Sequence, residues 1–170
     1  MNDNIALYKL IILYMLNKVD FPLTTSQISE FILDKGYTSY FKLQEVFSEM
    51  QESDLLIPET IRNRTLCHLS ENGAETIKYF HSRIPSGIRK DIDEFLKEKE
   101  YDLKEEVSVQ ADYYLNTNQE YDAVCKIFEE GRPLIELKLT VPTKTEAEAI
   151  TVNWTKHNQE IYTLLMSKLL

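Results

Sequence analysis

Residues 24–73 read TTSQISEFILDKGYTSYFKLQEVFSEMQESDLLIPETIRNRTLCHLSENG. The stretch opens on a helix start: in Thr24-Thr25-Ser26-Gln27 a hydroxyl stands at the cap and an amide side chain three residues on, the pattern of a capping box. Ile28, Phe31 and Ile32 then share one helical face, and Gly36 ends the helix as glycine commonly does. Thr38 or Ser39 caps a following helix. Its buried stripe is Leu43, Val46, Phe47 and Met50, and its opposite face shows Tyr40, Lys42, Gln44, Glu45 and Ser48. Ser53-Asp54 leads into Leu55-Leu56-Ile57, an apolar run suited to a strand, followed by Pro58 and Glu59. Ile61, Arg62, Asn63 and Arg64 suit a hairpin tip, since Asn tolerates the left-handed backbone region, and Thr65 to Leu69 suits the return strand. Ser70 caps the next helix, which Ile77, Tyr79 and Phe80 continue.

Before this stretch, a helix is expected from about Asn4 to Asn17. Leu7, Leu10, Ile11, Tyr14 and Met15 recur at helical spacing, and Ile12, Leu13 and Leu16 widen the stripe, so it should be buried on more than one side. The segment lacks a basic cluster and a small-residue cleavage site, so it reads as a core helix rather than a signal peptide. After the stretch, Ile84-Pro85-Ser86-Gly87 closes a first domain at residues 1–84.

The order of these elements is the winged-helix arrangement, which sets one helix and one hairpin on a surface that fits duplex DNA. Leu69-Ser70-Glu71-Asn72-Gly73 resembles the leucine–hydroxyl–x–x–glycine segment that follows the wing in PadR- and MarR-like regulators. The whole chain is also similar to an uncharacterised bacterial family, a domain of unknown function with a predicted winged helix. The resemblance implies a DNA-binding transcription regulator that works as a homodimer, with twofold symmetry spacing two recognition helices one turn of DNA apart.

The second half, residues 85–170, is expected to be an α+β effector or dimerisation domain. Ile88 to about Leu103 forms a helix. Three strands follow, at Val107 to Asn116, Tyr121 to Phe128 and Leu134 to Val141, joined by short turns into an antiparallel meander. Thr143-x-x-Glu146 is a second capping box. It opens a last helix with Ala147, Ile150, Trp154, His157, Ile161 and Leu164 on one stripe, His157 being expected as a satisfied core histidine. The greasy end, Leu165, Met166, Leu169 and Leu170, suits either the domain's own core or a twin subunit. The expected fold class is therefore α+β: an N-terminal winged helix-turn-helix, then a helix, a three-stranded antiparallel meander and a C-terminal helix.

Composition limits the function. Two distant cysteines, Cys67 and Cys125, make no disulfide framework, so a reducing cytoplasm is the default, and no apolar run is long enough to span a bilayer. The net charge is −9, which works against DNA, because affinity for it rests on cations that displace counterions. Residues 1–84 hold 8 Lys+Arg against 11 Asp+Glu, and residues 85–170 hold 11 against 17, so the first half is the less hostile to phosphate.

A DNA reader would use Ser39 and Tyr40 at the helix start to hold phosphates, Lys42 for guanine or phosphate, Gln44 for adenine, and Arg62, Asn63 and Arg64 at the wing for the backbone or a narrow minor groove. Against this, residues 38–54 set one Lys, Lys42, against Glu45, Glu49, Glu52 and Asp54. The alternative is a winged-helix protein–protein interaction module without DNA binding. No Gly-rich phosphate loop is present, the adjacent Cys67 and His68 would point to opposite faces of a strand, and no enzyme, metal or cofactor is expected. The expected partners are double-stranded DNA, a second copy and an unidentified small-molecule effector, whose pocket Tyr113, Tyr114 and Tyr121 could line, although strand tyrosines mostly pack on their neighbours.

Overall fold

Four hydroxyl side chains start four helices. The Oγ atoms of Thr24, Ser39, Ser70 and Thr143 accept from the backbone N–H of Gln27, Lys42, Gly73 and Glu146, at 3.0, 3.3, 2.9 and 3.3 Å. In the computed structural model, which describes residues 3–61 and 63–170, these caps belong to an α+β chain. Among the described residues it has six α-helices and two three-stranded antiparallel sheets. Packing divides it into two units, Met1–Val107 and Ser108–Leu170.

The first unit runs α1 (Asp3–Lys18), β1 (Leu23–Thr24), α2 (Thr25–Asp34), α3 (Tyr40–Glu52), β2 (Leu56–Ile61), β3 (Arg64–Leu69), α4 (Glu71–Phe80), a short 3₁₀ turn (His81–Arg83) and α5 (Ser86–Ser108). Ile11, Ile12, Leu13 and Met15 are fully buried, so α1 is the hub of this core, as its all-round apolar pattern requires. The sheet order is β1-β3-β2. β1 pairs Leu23 with Cys67 and Thr24 with Leu66. Two residues are too few to show a strand period, so the sequence does not announce it. Pro58 lies within β2, an edge strand, where its missing N–H costs no ladder bond.

Gly73 holds β2's entry against α4. A Cβ at this position would stand 2.1 Å from the Leu55 carbonyl oxygen and 3.0 Å from carbons of Leu13 and Leu69. Ser70 Oγ also donates to the Asp54 carbonyl at 2.7 Å, which fixes Asp54 with φ of +53° at the turn between α3 and β2.

Two boundaries differ from those expected. α5 continues to Ser108, so Val107 and Ser108 are helical and the first strand of the meander starts at Val109. The division falls after Val107 rather than at Ile84, because Ile92, Leu96 and Leu103 of α5 bury themselves in the same core as α1.

The second unit is β4 (Val109–Leu115), β5 (Tyr121–Glu129), β6 (Arg132–Val141) and α6 (Lys144–Leu169), with sheet order β4-β5-β6. Glu129 pairs with Arg132 across a two-residue loop, Glu130-Gly131, whose φ values of +49° and +74° suit the tight turn that matches strand twist. Alternate residues of the sheet face α6: Cys125 and Ile127 pack on Trp154, with Val109, Ala111, Ile135, Leu137, Ile150, Ile161 and Tyr162 around them. The expected stripe is corrected at His157. It is exposed, 3.7 Å from Glu160, and Asn158 is buried in its place, donating to the Trp154 carbonyl at 3.0 Å. Among the described residues no helix is long and apolar enough to cross a membrane.

Candidate macromolecular interface

The exposed side of α3 begins at its cap. Ser39 and Tyr40 are exposed, Gln44, Glu45 and Ser48 continue the face, and Leu43, Val46, Phe47 and Met50 point inward as their spacing requires. Phe41 is 84% exposed and Tyr40 56%, their rings meeting edge-to-face with centroids 5.8 Å apart. Sequence reasoning passed over Phe41. Its signal was there: an aromatic off the i, i+3, i+4 positions of the buried stripe has no core to enter.

Two of the basic candidates, Lys42 and Arg64, are engaged. Lys42 Nζ lies 2.8 Å from Glu45 Oε2, one turn along the same helix. Arg64 is not at the hairpin tip. Ile61 pairs with Arg64 to close the hairpin, so Arg64 is the first residue of β3. Its guanidinium donates to the Glu106 carbonyl at 2.9 Å, in the last turn of α5, where carbonyls lack helical partners and a cation is favoured. Asn63 is exposed in the turn, and Arg62 lies outside the described residues. Three further lysines of the unit are also paired: Lys9 with Glu49 at 2.7 Å, Lys18 with Asp93 at 3.7 Å and Lys35 with Asp91 at 3.7 Å.

Each such surface pair contributes little to stability, but together they cancel the charge that phosphates would seek. The balance of the whole unit points the same way. With α5 counted where it packs, residues 1–107 hold 13 Lys+Arg against 19 Asp+Glu, net −6, and residues 108–170 hold 6 against 9, net −3. The expected ordering of the halves is reversed, because residues 85–107 alone carry 5 cations against 8 acids.

Other groups are committed to structure. Burial pushes the Cys67 thiol up to about 12 and that of Cys125 up to about 11, so neither is a ready thiolate near neutrality. His68 faces away from Cys67 and meets Glu59 at 2.7 Å. Among the described residues no group of three or more His, Cys, Asp and Glu side chains is arranged to hold a metal ion. Tyr113 stacks edge-to-face with Tyr121 at 6.2 Å and donates to Glu148, while Tyr114 lies on the opposite face of β4, under the Lys138 ammonium, so the three tyrosines line no common pocket.

The residue that sequence reasoning most undervalued is Gln27. It completes the α2 capping box, and its amide also donates to the Leu103 carbonyl at 3.3 Å and to Glu106 Oε2 at 2.7 Å, tying α2 to the end of α5. Neither partner is within reach of a local motif.

The sequence model of the family described as "Domain of unknown function (DUF4364)" matches residues 8–169. No curated protein and no solved structure matches the chain.

Proposed function

The chain belongs to the DUF4364 family, and from that premise we propose that residues 3–107 form a winged-helix module that docks a protein partner through the exposed face of α3. The order α1-β1-α2-α3-β2-β3 with sheet order β1-β3-β2 supports the winged-helix assignment, β2 and β3 being the wing. The observation that carries the choice of partner is the pairing on and around α3: Lys42 and Lys9 are held by glutamates of α3 itself, while Phe41 and Tyr40 stand in solvent. Exposed aromatics are enriched at protein interfaces and supply much of their binding energy. With Glu45 one turn from Phe41 and Glu52 at the far end of the same helix, the face suits a partner that presents an apolar side chain beside basic groups.

A second proposal is the DNA-binding regulator. The exposed amide of Gln44 and the hydroxyl of Ser48 favour it, since a neutral polar helix face can read base edges, and exposed ion pairs such as Lys42–Glu45 exchange readily for phosphate. In that case Asn63, exposed in the turn, would contact the backbone together with Arg62, as the sequence leads one to expect. A homodimer would be needed, and Leu164, Met166 and Leu169, exposed where α6 runs past its contacts with the sheet, are the surface we assign to it.

One experiment separates the two. Genomic duplex fragments are offered to the intact protein at low and at physiological salt, and in parallel a cell extract is passed over immobilised wild type, Phe41→Ala and Gln44→Ala. The docking proposal expects no enriched duplex, and a protein retained by wild type and by Gln44→Ala but lost with Phe41→Ala. An enriched duplex whose binding is lost in Gln44→Ala would overturn it in favour of the regulator.

A further inference from the structure

A cavity of about 690 Å³ opens between α1, α4 and α5, within the first unit and independent of the α3 face. That size suits a small molecule. Tyr14 and Ile77 supply apolar wall, and Lys18, Lys78, His81 and Arg89 supply donors. Lys18 is already occupied: its ammonium is 3.7 Å from Asp93 and 5.1 Å from the centre of the Tyr14 ring, while Tyr14 itself donates to Asp93 at 3.0 Å. Lys78 and Arg89 carry no ion pair among the described residues.

Arg89 is the informative group. Its Nε is buried and has no hydrogen-bond partner. Buried donors are nearly always satisfied, so an orphaned one calls for something that supplies the acceptor. A guanidinium also offers its N–H groups as a planar fork, which fits two oxygens of one anion. Arg89 is shared with a second, shallower cavity of about 370 Å³, where Lys90 is paired with Glu94 at 3.7 Å and Lys97 stands with Asp93, so the charges on that side largely offset one another. The carboxylates Glu71 and Glu75 stand in the lining of the larger cavity and limit the net charge of a ligand.

We propose that this cavity binds a small molecule through an oxyanion head, carboxylate or phosphate, gripped by the Arg89 guanidinium and the Lys78 ammonium, with its apolar body against Tyr14 and Ile77. The head sits at Arg89, because that is where an acceptor is missing. The acids at Glu71 and Glu75 favour a singly charged anion or one that carries a donor of its own, such as a hydroxyl or amino group.

The test titrates the full chain with inorganic phosphate and, separately, with benzoate, at constant ionic strength. The Arg89 Nε–H signal is followed by NMR together with the thermal midpoint. Saturable movement of that signal with either anion is expected. Phosphate alone identifies a phosphate head, and benzoate alone a carboxylate on an apolar body. Arg89→Gln should raise the dissociation constant about ten-fold or more and Lys78→Met several-fold, while Lys156→Met, far along the chain in α6, should leave it unchanged. If neither anion moves the Nε–H signal saturably in wild type, the orphaned donor is met by water alone and the proposal fails. It also fails if Lys78→Met and Lys156→Met weaken binding alike, since that would report general charge attraction.

Discussion

Thr24–Gln27 and Thr143–Glu146 carry the same capping chemistry in opposite surroundings. In the first unit the box is buried, with Thr24 1% and Gln27 4% exposed, and the Gln27 amide goes on to bond Leu103 and Glu106 of α5. In the second unit the box is in solvent, and Glu146 Oε2 accepts only from the Thr143 N–H and hydroxyl, at 3.0 and 2.8 Å. The same three-residue spacing starts a helix in both places and ties two helices together in only one. The cores differ in the same sense. In the first unit one continuous cluster joins α1, α2, α3 and α5, whereas the second relies on Trp154 seated on Cys125 and Ile127, with mostly half-buried neighbours.

The sharpest test of that contrast is Trp154→Ala. It removes the centre of the thin core and the Nε1–H bond to the Lys126 carbonyl, so it should destabilise the second unit by about 4 kcal/mol. Chemical denaturation followed by amide exchange should show β4–β6 losing protection before α1. Gly73→Ala strikes the thick core instead. Alanine ordinarily favours a helix, but the new methyl would collide with the Leu55 carbonyl, so a loss of about 3 kcal/mol in a urea titration is expected. A stabilising alanine would mean that β2's entry can shift freely.

The two boxes can be compared directly. Gln27→Ala should cost about 2 kcal/mol, since it strips a cap and leaves buried partners unsatisfied, whereas Glu146→Ala should cost less than about 1 kcal/mol. Equal costs would show that the tie from Gln27 to α5 contributes nothing beyond its cap.

The smallest effect concerns pH. Lys138, then Thr140 and Asn116, hold the Asp122 carboxyl down at about 2, below its ordinary 3.8. A carboxylate whose folded pKa is depressed stabilises the fold above its unfolded pKa, and that contribution fades as pH falls from about 4 towards 2. Trp154 is the one tryptophan of the chain and lies in the second unit, so its fluorescence reports that unit's acid unfolding. Asp122→Asn should flatten the acid limb there, and an unchanged limb would show the Asp122 contacts to be without consequence.

Much of the fold was legible because its signals are local. Ser39, Ser70 and both threonine caps act on N–H groups three residues away, and the alternation in β4 and β6 is a property of consecutive residues. β1 was not legible, because Leu23-Thr24 has no period of its own and exists only by pairing with β3. The candidate interface was legible in part. Leu43, Val46, Phe47 and Met50 define which side of α3 is inward, and so which side is free. The partners of Arg64 and Gln27 lay 42 and 79 residues away, beyond any motif.

Sequence alone therefore determined where the four capped helices begin and that an antiparallel meander follows, since capping geometry and side-chain period are set by neighbours along the chain. Tertiary structure alone decided that α5 packs with the first unit, that the acid excess consequently lies there, and that Arg64 holds a helix end. Those outcomes depend on which distant backbone carbonyls and carboxylates folding carries within reach of a long cationic side chain, and no local spacing encodes that.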